Sequence, residues 1–461
     1  MRRIFAEIAA VPAGWRWLAG HALAMTIFAA LSGRLLAGRM PVSGLFTGVW
    51  LATGSAGLAL AALGFAPGKL WAQLARSGGR TWIYAPCAGA VACLLGSSAQ
   101  FLWKVSGSLT FVFVKILLHP FVSRIISDAA TLTIGSPRFS VVIAPACSGL
   151  EGMGLMAVFG AVWLWFCRDE LRFPRALLLI PAGVTLIWLL NGARIAALIL
   201  IGNAGAPRVA AGGFHSQAGW MAFNLVALGL SAGIARVPGM AKNRTHAQRS
   251  AENPTAPYLM PFLMILAAAM LSRAAAAKFE WLYPLRFFAA AGAIWCYRRK
   301  YATLNWRAGW LAPLCGVVVF GLWMALDAIS GAHPDNAIAS GLAGWNLQAR
   351  VLWLAFRTGA AVITVPIAEE LAFRGFLIRR LIRADFESAA PRSFTLASVM
   401  ISSLAFGLMH GDRWLAGTIA GLLYAAVYLR RGRIGDAVAA HATTNALLAG
   451  LVLAGGKWYL W

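Results

Sequence analysis

Residues 176–201 read ALLLIPAGVTLIWLLNGARIAALILI, and this stretch decides the fold class. It carries one charge, Arg194. About 20 apolar residues at helical rise cross the hydrocarbon of a bilayer, so the segment reads as one membrane-spanning α-helix. Toward the N-terminus and just beyond it, comparable runs cover 17–35, 43–66, 82–103, 150–167 and 218–235. After a polar break they resume at 258–277, 282–297, 310–329, 346–367, 394–411, 414–430 and 436–455. The whole composition agrees: of 461 residues, 60% are hydrophobic and 12% charged, with mean hydropathy +0.72. A soluble enzyme and a disordered scaffold are excluded. The expected fold is an all-α polytopic integral membrane protein.

The break, PGMAKNRTHAQRSAENPTAP at 238–257, is polar, basic and bounded by prolines. It reads as a linker between two helical transmembrane domains, 1–237 and 258–461. Forty Lys and Arg against 15 Asp and Glu give a net charge of +25. The basic residues fall in short clusters between apolar runs, which fits the positive-inside rule and not a nucleic-acid surface. Arg168, Arg172 and Arg175, and then Arg236, Lys242, Arg244 and Arg249, place their loops in the cytoplasm. The loops between are then outside. Arg2, Arg3 and Arg16 ahead of the run from Trp17 read as the flank of an uncleaved first span.

The run 108–125 carries Lys115, His119, Pro120 and Arg124, and is expected to lie in the outer interface. TLTIGSPRFSVVIAPA at 131–146 breaks the helical pattern and reads as short extended strands on the outer face, leading into Cys147. There are six Cys and no CxxC; Cys87, Cys93, Cys167, Cys296 and Cys315 lie in or beside apolar runs and read as small buried hydrophobes.

Cys147 is different. It stands in APACSGLEGM at the outer end of a span; Arg194 lies 19 residues beyond Arg175, about 28 Å of helix and so about one bilayer core away; His215, in GGFHSQAGW, precedes the span that returns to the cytoplasm. Charge alone brings the three to one depth. A thiolate nucleophile, an imidazole that takes and returns a proton, and a fixed cation that favours the thiolate or holds an oxyanion make a cysteine acyl-transfer site.

A second set lies in VPIAEELAFRGF. Two adjacent carboxylates in apolar surroundings are costly unless paired or functional. Glu370 and Arg374, four apart, share a helix face and read as an ion pair, while Glu369 points about 100° away toward a different partner. Pro366 frees a carbonyl and opens the helix. His410 follows in AFGLMHG, and His441 with Asn445 in HATTN. Such a set holds either a water, activated by Glu369 and His410 with His441 and Asn445 on the oxyanion, or Zn²⁺ at Glu369, His410 and His441; without HExxH the metal is not favoured.

Cys147 in ACSGL, Arg194 in NGAR and His215 at a span entry resemble the motifs of exosortases and archaeosortases, over roughly residues 80–237. EExxxR, Phe406-xxx-His410 and HxxxN resemble the motifs of CPBP intramembrane proteases, the CAAX-prenyl-endopeptidase and bacteriocin-processing family, over roughly 310–455. The first resemblance implies that Cys147 cleaves at a C-terminal sorting signal and transfers the acyl product. The second implies catalytic Glu369, His410, His441 and Asn445, supported by Glu370 and Arg374. Both in one chain resemble exosortase/protease fusions of the exosortase E type, whose partners carry a VPEID-CTERM signal. That implies a multi-pass protein of the bacterial inner membrane with Cys147 facing the periplasm. Its implied substrates are exported proteins ending in a sorting motif, a transmembrane helix and a basic tail. A transporter, with the intramembrane Glu, His and Arg as its path, is the alternative from another class.

Overall fold

The structure, a computed structural model, describes residues 14–36, 43–79, 81–234, 237, 239–240, 242, 253–330 and 337–461. Most of the expected linker, together with Arg2, Arg3, Arg236, Arg244 and Arg249, lies outside the described residues. The chain is 77% helical, with seven helices long and apolar enough to cross a membrane among the described residues, so it is an all-α polytopic membrane protein.

Two compact units are distinguished, the smaller holding residues 1–96 with Thr395–Ala397. In it, α1 (Trp15–Leu36) pairs with α2 (Gly44–Phe65), followed by α3 (Gly68–Gly78). Gly54 and Gly57 let the pair close up, because a Cβ there would press on Phe28 and Met25, and His21 Nδ1 donates to the Gly57 carbonyl at 2.8 Å.

Helix α4 runs unbroken over Thr81–Leu118, where the sequence suggested a span ending near 103 and a separate interfacial run. Two polar residues midway along it are tied to neighbouring elements: Ser106 Oγ donates to Ser148 O at 3.1 Å, and Trp188 Nε1 donates to Thr110 Oγ1 at 3.0 Å. Phe111, Val114 and Leu118 are buried with Ile195, Ala196 and Ile199, so part of the run expected at the interface is helix packed in a core. The extended segment is a three-stranded antiparallel meander, β1 (Ile126–Asp128), β2 (Thr133–Gly135) and β3 (Ser140–Val142). Its Ile134, with Ile143 just after β3, joins the same core.

Helices α5 (Leu150–Phe166), α6 (Leu179–Asn203) and α7 (His215–Gly233) pack around Met156, Ile187, Val226 and Ala227. At the far end of α5 from Cys147, the basic loop meets the start of the polar stretch: Arg172 N donates to Met240 O and Lys242 N to Glu170 O, both at 2.9 Å. The two segments that sequence charge assigns to one side are therefore in contact.

The longer helices that follow are α8 (Ala256–Ala274), α9 (Pro284–Cys296), α10 (Leu311–Ser330), α11 (Leu347–Ile382), α12 (Leu396–Leu408), α13 (Trp414–Arg431) and α14 (Ile434–Gly455). Helix α11 extends well past the expected 367 and contains two π-helical stretches, Ala360–Thr364 and Leu371–Leu377, on either side of the Pro366 segment. A third π stretch, Ala210–Phe214, leads into His215 and abuts the C-terminal end of α8. A Cβ on Gly213 would overlap the carbonyl oxygens of Arg273 and Ala276, so only glycine fits. Cys87 and Cys296 are exposed rather than buried, and Cys167 and Cys315 are partly buried; the surface of a spanning helix faces acyl chains, so a thiol needs no core there. The side chain of Cys93 is outside the described residues.

Gly213→Ala should destabilise the chain by about 1–3 kcal/mol, the ordinary cost of overpacking. Gly229→Ala, where nothing lies within 4 Å of the new methyl, should be neutral or slightly stabilising. Thermal unfolding of the two variants side by side in one detergent checks the contrast.

Candidate functional site

Two sites are built, each from residues far apart in sequence. In the first, Cys147 closes a 3₁₀ turn, Pro145–Cys147, directly before the N-terminus of α5. His215 opens α7, and its Nε2 lies 4.0 Å from Cys147 Sγ, within hydrogen-bond reach for sulfur. Arg194, on α6, lies against Gly219 one turn into α7; a Cβ there would be 2.7 Å from its Nη1. The Arg194 Nε is buried and has no hydrogen-bond partner among the described residues. Its side chain lines a cavity of about 210 Å³, together with Glu151, Asn191, Ser216 and Trp220. The structure thus brings Cys147 and His215 together and puts Arg194 on the cavity beside them. Glu151 and Asn191 were not singled out in the sequence, although each lies within four residues of a residue that was.

The second site centres on His441 of α14. Its Nδ1 donates to Glu370 Oε1 at 2.9 Å, and its Nε2 lies 3.9 Å from Glu369 Oε2. Adjacent carboxylates were expected to find different partners; instead they approach the two nitrogens of one imidazole, since a ring with nitrogens on separate edges accommodates the helical offset. Glu370 is fully buried and forms an ion pair with Arg374, with Nη1 to Oε1 and Nε to Oε2 both at 3.1 Å. Arg374 Nη2 donates to Gly421 O of α13 at 2.8 Å. The Tyr424 ring stacks on His441 with centroids 5.0 Å apart.

Asn445 is held one turn further along α14, its Nδ2 donating to Ala361 O at 2.7 Å, inside the first π stretch of α11. His410 follows the end of α12, and its Nδ1 accompanies the Phe406 carbonyl at 2.9 Å. A carbonyl only accepts, so Nδ1 carries a proton, and in the neutral ring Nε2 is the acceptor. The Phe406 ring lies between the two histidines, 4.9 Å from His410 and 5.6 Å from His441. Glu369, Glu370, Arg374 and His441 are therefore in one cluster, with Asn445 and His410 at its edge. Among the described residues, no three His, Cys, Asp or Glu are grouped so as to hold a metal ion.

Removing the guanidinium leaves a fully buried carboxylate without its counter-charge. Arg374→Ala should cost about 3–5 kcal/mol, and Arg374→Lys, which cannot reach both carboxylate oxygens and Gly421 at once, a substantial part of that. Thermal unfolding in detergent, with Arg430→Ala on the exposed end of α13 as the neutral comparison, checks both.

Residues 3–232 match the family model of the transmembrane exosortases (EpsH), and residues 351–447 match that of the type II CAAX prenyl endopeptidases, Rce1-like. None of the curated proteins and none of the solved structures matches the chain. The three side chains of the first site fall in the exosortase match, and all six of the second fall in the Rce1-like match. Both matches are to membrane protease families, so this chain is a multi-pass membrane peptidase that joins an exosortase domain to a Rce1-like CAAX protease domain.

Proposed function

We propose that the first site is a cysteine transpeptidase, acting on the C-terminal sorting signal of exported proteins at the outer face of a bacterial inner membrane. The observation that carries this is the 4.0 Å approach of Cys147 Sγ to His215 Nε2, beside a cavity lined by a guanidinium whose Nε is unpaired. His215 takes the thiol proton as sulfur attacks the scissile carbonyl carbon. Arg194 faces the oxyanion that forms. Collapse breaks the C–N bond, His215 returns the proton to the leaving amine, and a thioester remains on Cys147. A second nucleophile then releases the acyl group, giving up its own proton to His215. The substrates are exported proteins with a sorting motif, a transmembrane helix and a basic tail.

The second site we read as a glutamate-dependent intramembrane endopeptidase. Glu369, the less buried of the two carboxylates, accepts a proton from water, with the free Nε2 of His410 as the second acceptor. Glu370 and Arg374 fix the ring of His441. Asn445 spends one amide hydrogen on Ala361 O and keeps the other, beside His441, for the oxyanion. The peptide it cuts is in our reading the transmembrane tail released by the first site.

Co-expression with an exported protein bearing such a tail, followed by immunoblot, separates the two activities. Cys147→Ala should abolish maturation of the exported part; maturation that persists removes the acyl-transfer reading. Glu369→Gln should leave maturation intact and lower turnover of the tail fragment by about 10²-fold or more. Unchanged tail turnover would retire the second assignment.

A further inference from the structure

We propose that Asn191 is a positioning residue for Cys147: its amide holds the carbonyl of the nucleophile's own residue, and so sets the direction of the thiol toward His215. The inference rests on the reading of Cys147 as the nucleophile. Asn191 is 8% exposed, and its Nδ2 donates to Cys147 O at 2.9 Å. The Cys147 amide donates to Ala144 O at 2.8 Å within the turn. Both main-chain polar groups of the thiol-bearing residue are thereby fixed, and only χ1 is left to the sulfur. The next carbonyl is held as well, Ser148 O by Ser106 of α4 at 3.1 Å.

Gly149 completes the arrangement. It takes φ +85°, and a Cβ there would lie 2.9 Å from Asn191 Nδ2, so glycine both allows the turn and leaves room for the amide to reach past it. Asn191 and Arg194 are three residues apart on α6 and share a face. One helical turn therefore carries the cation and anchors the main chain of the nucleophile. Their separation is fixed by helix geometry and not by a loop.

The chemistry of the contact selects an amide. Aspartate offers a carbonyl oxygen only further acceptors, alanine leaves it without a donor, and glutamine moves the donor by roughly one bond length, about 1.5 Å. An error of that size at a reacting group costs about 10²-fold.

The test uses the full chain in membranes and methyl vinyl sulfone, with alkylation of the Cys147 peptide read by mass spectrometry across pH. His215→Ala defines the profile of a thiol that has lost its base. Asn191→Ala and Asn191→Asp should slow alkylation at least about tenfold at neutral pH and take on the His215→Ala profile, and adding His215→Ala should slow them no further. A merely structural role would lower the yield of folded protein but leave the profile of the folded fraction like that of the wild type. A wild-type rate and profile in Asn191→Ala overturns the proposal. If that variant does not fold, Gly149→Ala reads the same contact from the other side, and a wild-type profile there overturns it equally. A His215→Ala chain that alkylates like the wild type instead removes His215 as the base, a failure of the acyl-transfer reading and not of the positioning.

Discussion

An ionised side chain within a membrane-spanning bundle costs at least about 2.5–3.5 kcal/mol near the bilayer centre unless something in the protein answers its charge. The second half of the chain meets that constraint by pairing. Glu370 has Arg374 and His441, and Asp327 at the end of α10 accepts from Arg413 Nε at 3.0 Å. The Glu370–His441 contact also ties α11 to α14, and the Asp327–Arg413 contact ties the end of α10 to the turn before α13, so answering these charges doubles as a constraint on packing. Arg194, in the first half, borders a cavity instead, and its Nε is buried with no partner among the described residues. A buried donor without a partner is costly, and in the proposed reaction an arriving anionic group would supply the missing partner.

Both sites also depend on irregular helix. A π stretch widens the turn and displaces carbonyls from their usual partners. Ala360–Thr364 places the Ala361 carbonyl where Asn445 takes it up, and Leu371–Leu377 follows directly on the two glutamates. Ala210–Phe214 does the equivalent for His215, bringing Gly213 against the end of α8 so that the imidazole begins α7 at the depth of Cys147. In a bilayer such departures survive only where neighbouring groups satisfy the freed backbone, so they mark positions where side-chain placement outweighs helix regularity.

Hydropathy made most of the spans legible, and the charge and spacing of Cys147, Arg194, His215, Glu370 and Arg374 made much of both sites legible too. What stayed hidden has common causes. The continuity of α4 was masked by Lys115, His119, Pro120 and Arg124, of which the last three lie beyond its end, while the core that holds Phe111, Val114 and Leu118 is completed by residues about 80 positions away, which no local pattern reports. The convergence of Glu369 and Glu370 on one histidine depended on a ring 71 residues downstream of Glu370, so a helical wheel drawn on 365–374 alone sends them apart. Asn191 was passed over because its partner is a backbone carbonyl, which has no signature in sequence.

Helix α8 shows how the two halves come to share one framework. Near its start Tyr258 packs on Gly375, further along Phe262 meets Phe373 with ring centroids 5.6 Å apart, and Ile265 is buried with Ala368. Its far end lies under the π stretch before His215. One helix therefore supports the segment carrying Glu369 and Glu370 along its length and the segment leading to His215 at its tip. Close-packed interfaces have little room for continuous deformation. A shift of α8 would displace both candidate sites together, so the packing that fixes the geometry of one constrains the other.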